Sequence, residues 1–319
     1  MSTLLFTGGG GASSEALYRC LNGRHLVHFA DADPEARPPS VPQGAWHQIP
    51  MASAPEFVSS LTRLCGVLGV DLLIPGVDEE LLAISTARAA IARAVLLPPT
   101  EFVSVHLDKL ASNALLASLG IPVPDTELPS ARRRVSFPCI IKPRRGRGSR
   151  DVAIVRSEDE LRAHFVVCGR PADDFIVQEQ LHGQEYTVTM VADRTGRLRA
   201  IVPVRVGLKR GITLRAETDR DEAVTAACAA IHRAQPVAGC FNIQLIKTEA
   251  GEVKPFEINP RISTTTCLAL AAGVDVVDLY LGGEMSARET GELAPFENHL
   301  RLKRSWHNEF VGARYGVTG

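Results

Sequence analysis

The stretch GCFNIQLIKTEAGEVKPFEINPRIS, residues 239–263, decides how the chain is to be read. It ends on PFEINPRIS (255–263), where Glu257, Asn259 and Arg261 alternate with Phe256, Ile258 and Pro260. In an extended chain every second side chain points the same way, so carboxylate, amide and guanidinium share one face. The stretch reads as two strands around a turn at Glu249–Glu252. A turn centred between Ala250 and Gly251 sets Gln244 opposite Glu257 and Asn242 opposite Asn259. Cross-strand partners share a face, so Gln244, Glu257 and Asn259 converge. One carboxylate and two amide oxygens suit a hard divalent cation, Mg2+ or Mn2+, that completes its shell with water and phosphate oxygens. Arg261, at the same period, is placed to grip a phosphoryl or carboxylate group bidentately. Taken alone, the hairpin reads equally as a polar sheet face in water.

Its surroundings argue for chemistry. In FPCIIKPRRGRGSRDVAIV (137–155) a strand ends in Lys142 and runs into a glycine-rich loop. Gly146 and Gly148 let backbone N–H groups approach phosphate oxygens without a Cβ clash, and Ser149 adds a hydroxyl. Lys142 supplies a point charge, and Arg144, Arg145, Arg147 and Arg150 make the loop cationic. A flexible basic hairpin tip has the same composition. The loop is not a Walker A loop, because no GK[ST] follows.

The first hundred residues alternate strand and helix signals: strands at 4–7, 25–31, 70–76 and 94–99, with helices at 55–69 and 78–94. This rhythm predicts a parallel, doubly wound sheet, with a boundary at Pro98-Pro99. Further helices are expected at 108–120, opened by Asp108 and closed by Gly120, and at 157–169, where Ser157 and Glu160 form a capping box. Another follows at 219–234.

The composition, 45% hydrophobic and 22% charged with a net charge of −1 over 319 residues, describes a globular protein of two or three domains, or of one large α/β domain with an insert. It offers no bulk field for nucleic acid or a membrane surface. Seven dispersed cysteines without metal-type spacing read as reduced thiols. Together with an N-terminus lacking signal-peptide character, they predict a cytoplasmic protein.

The ordered set Asp108-Lys109, IPVPDT (121–126), FPCIIKPRRGRGS (137–149), VQEQLHGQEYTV (177–188), NIQL (242–245) and FEINPRIS (256–263) resembles the ATP-grasp superfamily. It looks most like stand-alone relatives of the carbamoyl-phosphate synthetase large subunit and biotin carboxylase. LLFTGGGGA (4–12), ADADPEA (30–36) and LLIPGVDEE (72–80) resemble the preceding domain of that family, and LKRSWHNEFV (302–311) its closing segment.

The resemblance implies a mixed α/β (α+β) chain. A Rossmann-like domain over 1–99 would precede an ATP-grasp domain over 100–319 with a lid at about 124–180. It implies that Lys109 and Lys142 contact ATP phosphates under the 146–149 loop and that the Glu179–Gln180–Leu181 backbone reads the adenine edge. Glu185 would bind the ribose, and Gln244, Glu257 and Asn259 would hold magnesium. Arg261 would hold the transferred group, with Lys142 and Asn259 completing the catalytic set. Ile140 and Ile246 would sandwich the base, although both positions fit a plain core equally.

The implied reaction joins a small-molecule carboxylate, an amino acid or peptide, to an amine through an acyl phosphate. Substrate contacts would come from Gly9 and Gly10, from Glu79, and from Arg205, Lys209 and Arg210, three residues that also read as surface charge. Relatives often dimerise, so a homodimer is possible. Two departures stand out. The lid reads GSRD where relatives commonly read GSRG, so Asp151 must point outward or lid closure must differ. Ser263 and Thr264–Thr266 follow Arg261 where the synthetase has a second arginine, which points away from bicarbonate chemistry.

Three rivals remain. TGGGGASS (7–14) with Asp31 or Asp33 imitates a dinucleotide fingerprint, and hence an NAD(P)-dependent oxidoreductase, but lacks the third glycine. A non-catalytic nucleotide-binding module would keep the fold without the metal ligands. An RNA-binding surface from Arg132–Arg134 and the basic cluster at 144–150 is opposed by the net charge.

Overall fold

The structure is a computed structural model and describes residues 1–92, 94–282, 292–306 and 308. The closing motif expected at 302–311 therefore lies partly outside the described residues.

Strands β1 (Thr3–Thr7), β2 (Leu26–Asp31), β3 (Trp46–Gln48) and β4 (Leu72–Ile74) pair in parallel in the order β3-β2-β1-β4. The period of two along β1 sends alternate residues to two cores. Leu5 packs with Phe57, Leu61, Leu81 and Ile84 of helices α2 (Phe57–Leu68) and α3 (Asp78–Ile91). Leu4 and Phe6 pack instead with Leu17 and Leu21 of α1 (Ser14–Leu21) and with residues of the C-terminal half, Leu268 and Val276 among them. The strand expected at 94–99 is reduced to a single bridge, Leu73 to Val95. Pro98 and Pro99 end the pairing there, because proline has no N–H to donate. A helix that the pattern did not signal, α4 (Thr100–His106), follows directly.

Helix α5 (Lys109–Ser118) begins as expected, with Asp108 Oδ1 accepting from the N–H groups of Leu110 and Ala111. A small antiparallel sheet follows, built from β5 (Thr126–Glu127), β6 (Cys139–Pro143), β7 (Ala153–Val155) and β8 (Phe175–Glu179) in the order β5-β8-β6-β7. Cys139, Ile141, Phe175 and Val177 turn toward Leu161 of α6 (Glu158–Cys168), leaving Ile140 and Lys142 on the other face. Ser157 caps α6 by accepting from Glu160 N–H, while Glu160 reaches back to Arg156 N–H, one residue before the position a capping box uses.

The main sheet holds β9 (Gly183–Ala192), β10 (Leu198–Arg210), β11 (Ile212–Thr218), β12 (Gly239–Thr248), β13 (Val253–Asn259) and β14 (Arg301–Lys303), in the order β13-β12-β9-β10-β11-β14. Helix α7 (Glu222–Ala234) covers one face, where Val188, Met190, Phe241, Ile243 and Ile258 meet Val224, Cys228 and Ile231. The opposite face carries Glu185, Thr187, Asn242, Gln244, Glu257 and Asn259. Period-two alternation thus separates an apolar face from a polar one, and the polar face is the floor of a cleft. Helices α8 (Thr266–Ala271) and α9 (Val276–Leu281) return to pack near α1.

Candidate active site

The cleft begins with the hairpin. Gln244 lies opposite Glu257 and Asn242 opposite Asn259, as the alternation requires. The expected turn, however, is one residue out of place. Lys247 pairs with Val253 and Leu245 with Pro255, so the turn centres on Ala250, and a bulge at Phe256 restores the register before Glu257. A bulge sets two residues against one. Phe256, expected on the far face, therefore lines the cleft: its ring centroid lies 5.1 Å from Lys142 Nζ and its carbonyl accepts from Nζ at 3.3 Å. Sequence alternation cannot foresee that residue.

Two adjoining cavities occupy the cleft. The first, about 310 Å³, lies between the small sheet and the main sheet. Ile140, Val152, Leu181, Ile246 and Phe256 make its apolar end, and Lys109, Lys142, Gly146, Gly148 and Ser149 its cationic end. Both isoleucines thus line the cavity rather than the core. Glu179 and Gln178 are at its edge; Gln180 is not among the lining residues. The second cavity, about 230 Å³, lies under the glycine turn of the parallel sheet. Its wall is rich in hydroxyls, from Thr7, Ser13, Ser14, Thr187, Thr213 and Ser263, and includes Arg261 and Asn259. Glu185, Lys209, Gln244 and Glu257 line both cavities and mark their junction.

At the junction Lys209 Nζ donates to Glu185 Oε1 at 2.6 Å and to Gln244 Oε1 at 3.3 Å. Lys109 Nζ is 3.9 Å from Glu257 and donates to the Gly146 carbonyl at 2.8 Å. Burial lowers Lys142 to about 8; Glu257 pulls the other way, and Lys109 and Lys209 add to the fall. Burial alone would raise the Glu257 carboxyl, but Lys109, Lys142, Lys209 and Arg261 outweigh it and hold it below its ordinary range. The junction is a buried carboxylate ringed by cations, an arrangement in which a polyanion and a divalent cation can exchange for the internal pairings.

Besides the bond from Lys109 to the Gly146 carbonyl, two arginines fasten the loop at 144–152. Arg144 pairs with Asp108 at 2.6 Å, and Arg147 Nε donates to Glu79 at 2.9 Å. Asp151 turns away from the cleft toward Arg170, 3.6 Å off, as the charge argument requires.

Five of the residues expected on the substrate wall lie elsewhere. Gly9 and Gly10 do not line the second cavity; Gly8, Gly11 and Ala12 do. A Cβ on Gly9 would lie 2.8 Å from both Phe29 and Trp46, so this glycine serves close packing. Arg205 pairs across strands with Tyr186, one residue off Glu185, and so faces the other side of the sheet, where it binds Glu217 at 2.8 Å. The register shift at Gly207 lets Lys209 turn into the cleft although Arg205 does not. Arg210 is exposed and outside both cavities. Glu79 holds the loop rather than the cavity wall.

Sequence reasoning missed Glu80 and Arg304. Glu80 is buried beneath the turn and accepts from Thr7 Oγ1 at 2.5 Å and from the N–H groups of Gly76 and Val77, each at 3.0 Å. Burial raises it to about 7. Its position as third acid in DEE at a helix start was the available signal. Arg304 donates to the carbonyls of Ala12, Thr213 and Thr264, tying three walls of the second cavity. Arg261 donates to Asp78, so the motif arginine is anchored to the parallel-sheet region.

This is the fold of ATP-grasp proteins. Residues 171–307 match a family described as ATP-grasp in the biosynthetic pathway with Ter operon. The D-alanine–D-alanine ligase of Geobacter sulfurreducens is 23% identical over 266 residues, 77% of this chain and 80% of that protein. Alignments to several other D-alanine–D-alanine ligases span about a third of their length. Among solved structures, biotin carboxylase from Campylobacter jejuni, in a complex with an ATP analogue, superposes with a TM-score of 0.69 at 14% identity. The match covers 94% of this chain and 74% of that one. N5-carboxyaminoimidazole ribonucleotide synthetase from Thermus thermophilus gives 0.67 at 18%, covering 92% and 79%. The fold is that of the ATP-grasp superfamily, and the family-model match over 171–307 and the likeness to D-alanine–D-alanine ligases agree with it. No helix among the described residues is long and apolar enough to cross a membrane.

Proposed function

We propose that the protein is an ATP-dependent carboxylate–amine ligase that works through an acyl phosphate. One observation carries this reading: Gln244, Glu257, Lys209 and Glu185 are shared by a cavity suited to a nucleotide and a second, hydroxyl-lined cavity. A phosphoryl group at that junction is within reach of a substrate held on either side. In this reading residues 1–99 contribute the turn over the second cavity, and residues 100–319 contribute the ATP-grasp unit and its lid.

ATP would lie with its base between Ile140 and Ile246, against Phe256, and with its phosphates toward Lys109, Lys142 and the 146–149 loop. The Glu179–Leu181 segment would meet the base edge, and Glu185 the ribose. The donor set of Gln244, Glu257 and Asn259, one carboxylate with two amides, fits Mg2+ or Mn2+, which would supply charge neutralisation at the phosphates. A substrate carboxylate oxygen attacks the γ-phosphorus and the bond to ADP breaks. An amine nitrogen then attacks the acyl carbon, phosphate leaves, and the nitrogen gives up a proton. Lys142 and Arg261 act by positioning and by offsetting charge. The loop, held down through Arg147, keeps water from the intermediate. Arg147, Lys209 and Arg261 line the second cavity and can meet a donor carboxylate such as that of an amino acid or peptide.

The test is ADP and phosphate release from Mg·ATP with amino acids offered singly and in pairs. Turnover should require one carboxylate and one amine and fall at least about 1,000-fold in Glu257→Gln. Nucleotide binding without turnover on any pair would favour a non-catalytic module. Failure of ATP to bind or stabilise the chain would overturn the reading.

A further inference from the structure

Away from the cleft, where α1 gives way to β2, a second group of ligating side chains comes together. His25 lies just before β2 and is only 5% exposed. Asp275 caps α9 through Oδ1, which accepts from Val277 and Asp278 N–H at 3.0 and 3.1 Å, and is 2% exposed. Asp278 follows in the first turn of α9, at the rim. His25 Nε2 is 3.9 Å from Asp275 Oδ2 and 3.7 Å from Asp278 Oδ1, and the three donor atoms lie within 4.8 Å of one another.

The hydrogen bonding is incomplete. Among the described residues neither ring nitrogen of His25 has a hydrogen-bond partner, and neither does Asp275 Oδ2. Arg24 Nη1 approaches Oδ2 to 2.5 Å as a charge contact only, from a side chain that is 49% exposed. A buried imidazole without a partner is costly, and here its Nε2 is directed at two carboxylates.

We infer that His25, Asp275 and Asp278 form a binding site for a divalent transition-metal ion of the zinc type. Two carboxylate oxygens and one imidazole nitrogen match its preference, and a small contraction of the triangle gives bonds of about 2.0–2.2 Å with a position left for water. Arg24 is the competing cation; its Nη2 also donates to the Cys20 carbonyl at 2.8 Å, so the ion would displace only its contact with Asp275. The ion would join the end of α1 to the start of α9. The segments leading into α1 and α8 wall the second cavity of the cleft, so this site would brace that cavity from behind.

The experiment is calorimetric titration of the chelator-treated full chain with zinc chloride, followed by thermal unfolding with and without zinc. One ion should bind and raise the unfolding temperature. Glu257→Gln, which disables the cleft, should bind zinc as the unaltered chain does. Asp278→Asn and His25→Gln should each weaken binding by at least about tenfold. Arg24→Gln should tighten it. Zinc bound equally by the Asp278→Asn and His25→Gln proteins, or not bound by the unaltered chain, would overturn the proposal and leave the cluster as a buried ion triad. Weaker binding in Arg24→Gln would argue the same way.

Discussion

The protein has two glycine-rich segments facing one cleft, and they are built on opposite principles. In the turn at Gly8–Gly11, an added Cβ on Gly8 would lie 2.3 Å from the Val77 side chain, and one on Gly10 2.4 Å from Ala36. In the loop at Gly146–Ser149, a Cβ on either glycine meets nothing within 4 Å. The first segment lacks side chains because the backbone is packed in, with Gly8 turning as well at φ 64°. The second lacks them only because the backbone has to turn, with Gly146 at φ 125° and Gly148 at φ 71°. A buried ionisable group stands behind each: Glu80 under the turn and Lys142 under the loop. Composition does not distinguish the two segments, but their surroundings do.

This contrast can be broken most forcefully by Gly9→Ala. Overpacking against Phe29 and Trp46 should cost about 1–3 kcal/mol, read as a lowered denaturant midpoint, with ADP affinity of the folded fraction unchanged. An unaltered midpoint would remove the packing account of the turn.

The charge behind the loop gives the next effect. Lys142 titrates near 8, so its cation is present below that pH and lost above it. ADP affinity, measured calorimetrically, should weaken by up to about tenfold per pH unit above 8, and Lys142→Arg should abolish the dependence. Between 8 and 10.5 the native state holds fewer protons at Lys142 than the unfolded chain, so this residue's contribution to stability rises with pH across that window.

Gly148→Ala should cost no more than about 1 kcal/mol of stability, the left-handed penalty for a residue with a Cβ, because its Cβ would meet no neighbour. A denaturant midpoint lowered as far as in Gly9→Ala would erase the distinction between the two segments.

The acid behind the turn, Glu80, gives a pH effect of the opposite sign. Its native value of about 7 lies above the ordinary 4.5, so the native state holds the extra proton. Its contribution is complete below 4.5 and is lost as pH rises through 7. The thermal midpoint of the unaltered chain should therefore decline against that of Glu80→Gln over this interval, by a few degrees at most.

Much of the cleft was legible from periodicity. Alternation along β13 put Glu257, Asn259 and Arg261 on one face, and pairing across the hairpin brought in Gln244. What failed did so at irregularities. The Phe256 bulge moved an aromatic ring into the site, and Gly207 turned Lys209 inward while Arg205 stayed on the far face. Both are breaks in a period-two rule, and a period carries no information about where it breaks. Arg304 escaped notice for a different reason: its three carbonyl partners come from segments distant in sequence.

The sequence by itself determined the βα rhythm, the polar face of the hairpin, the cationic loop and the order of motifs, because each is set by neighbours a few residues apart. The tertiary structure settled which glycines are packed in and which only turn, and that Lys209 rather than Arg205 faces the cleft. It also decided that two cavities meet at Glu257 and that His25 meets Asp275 and Asp278. Those outcomes depend on contacts between residues far apart in the chain, and only the closed fold brings such residues into each other's field.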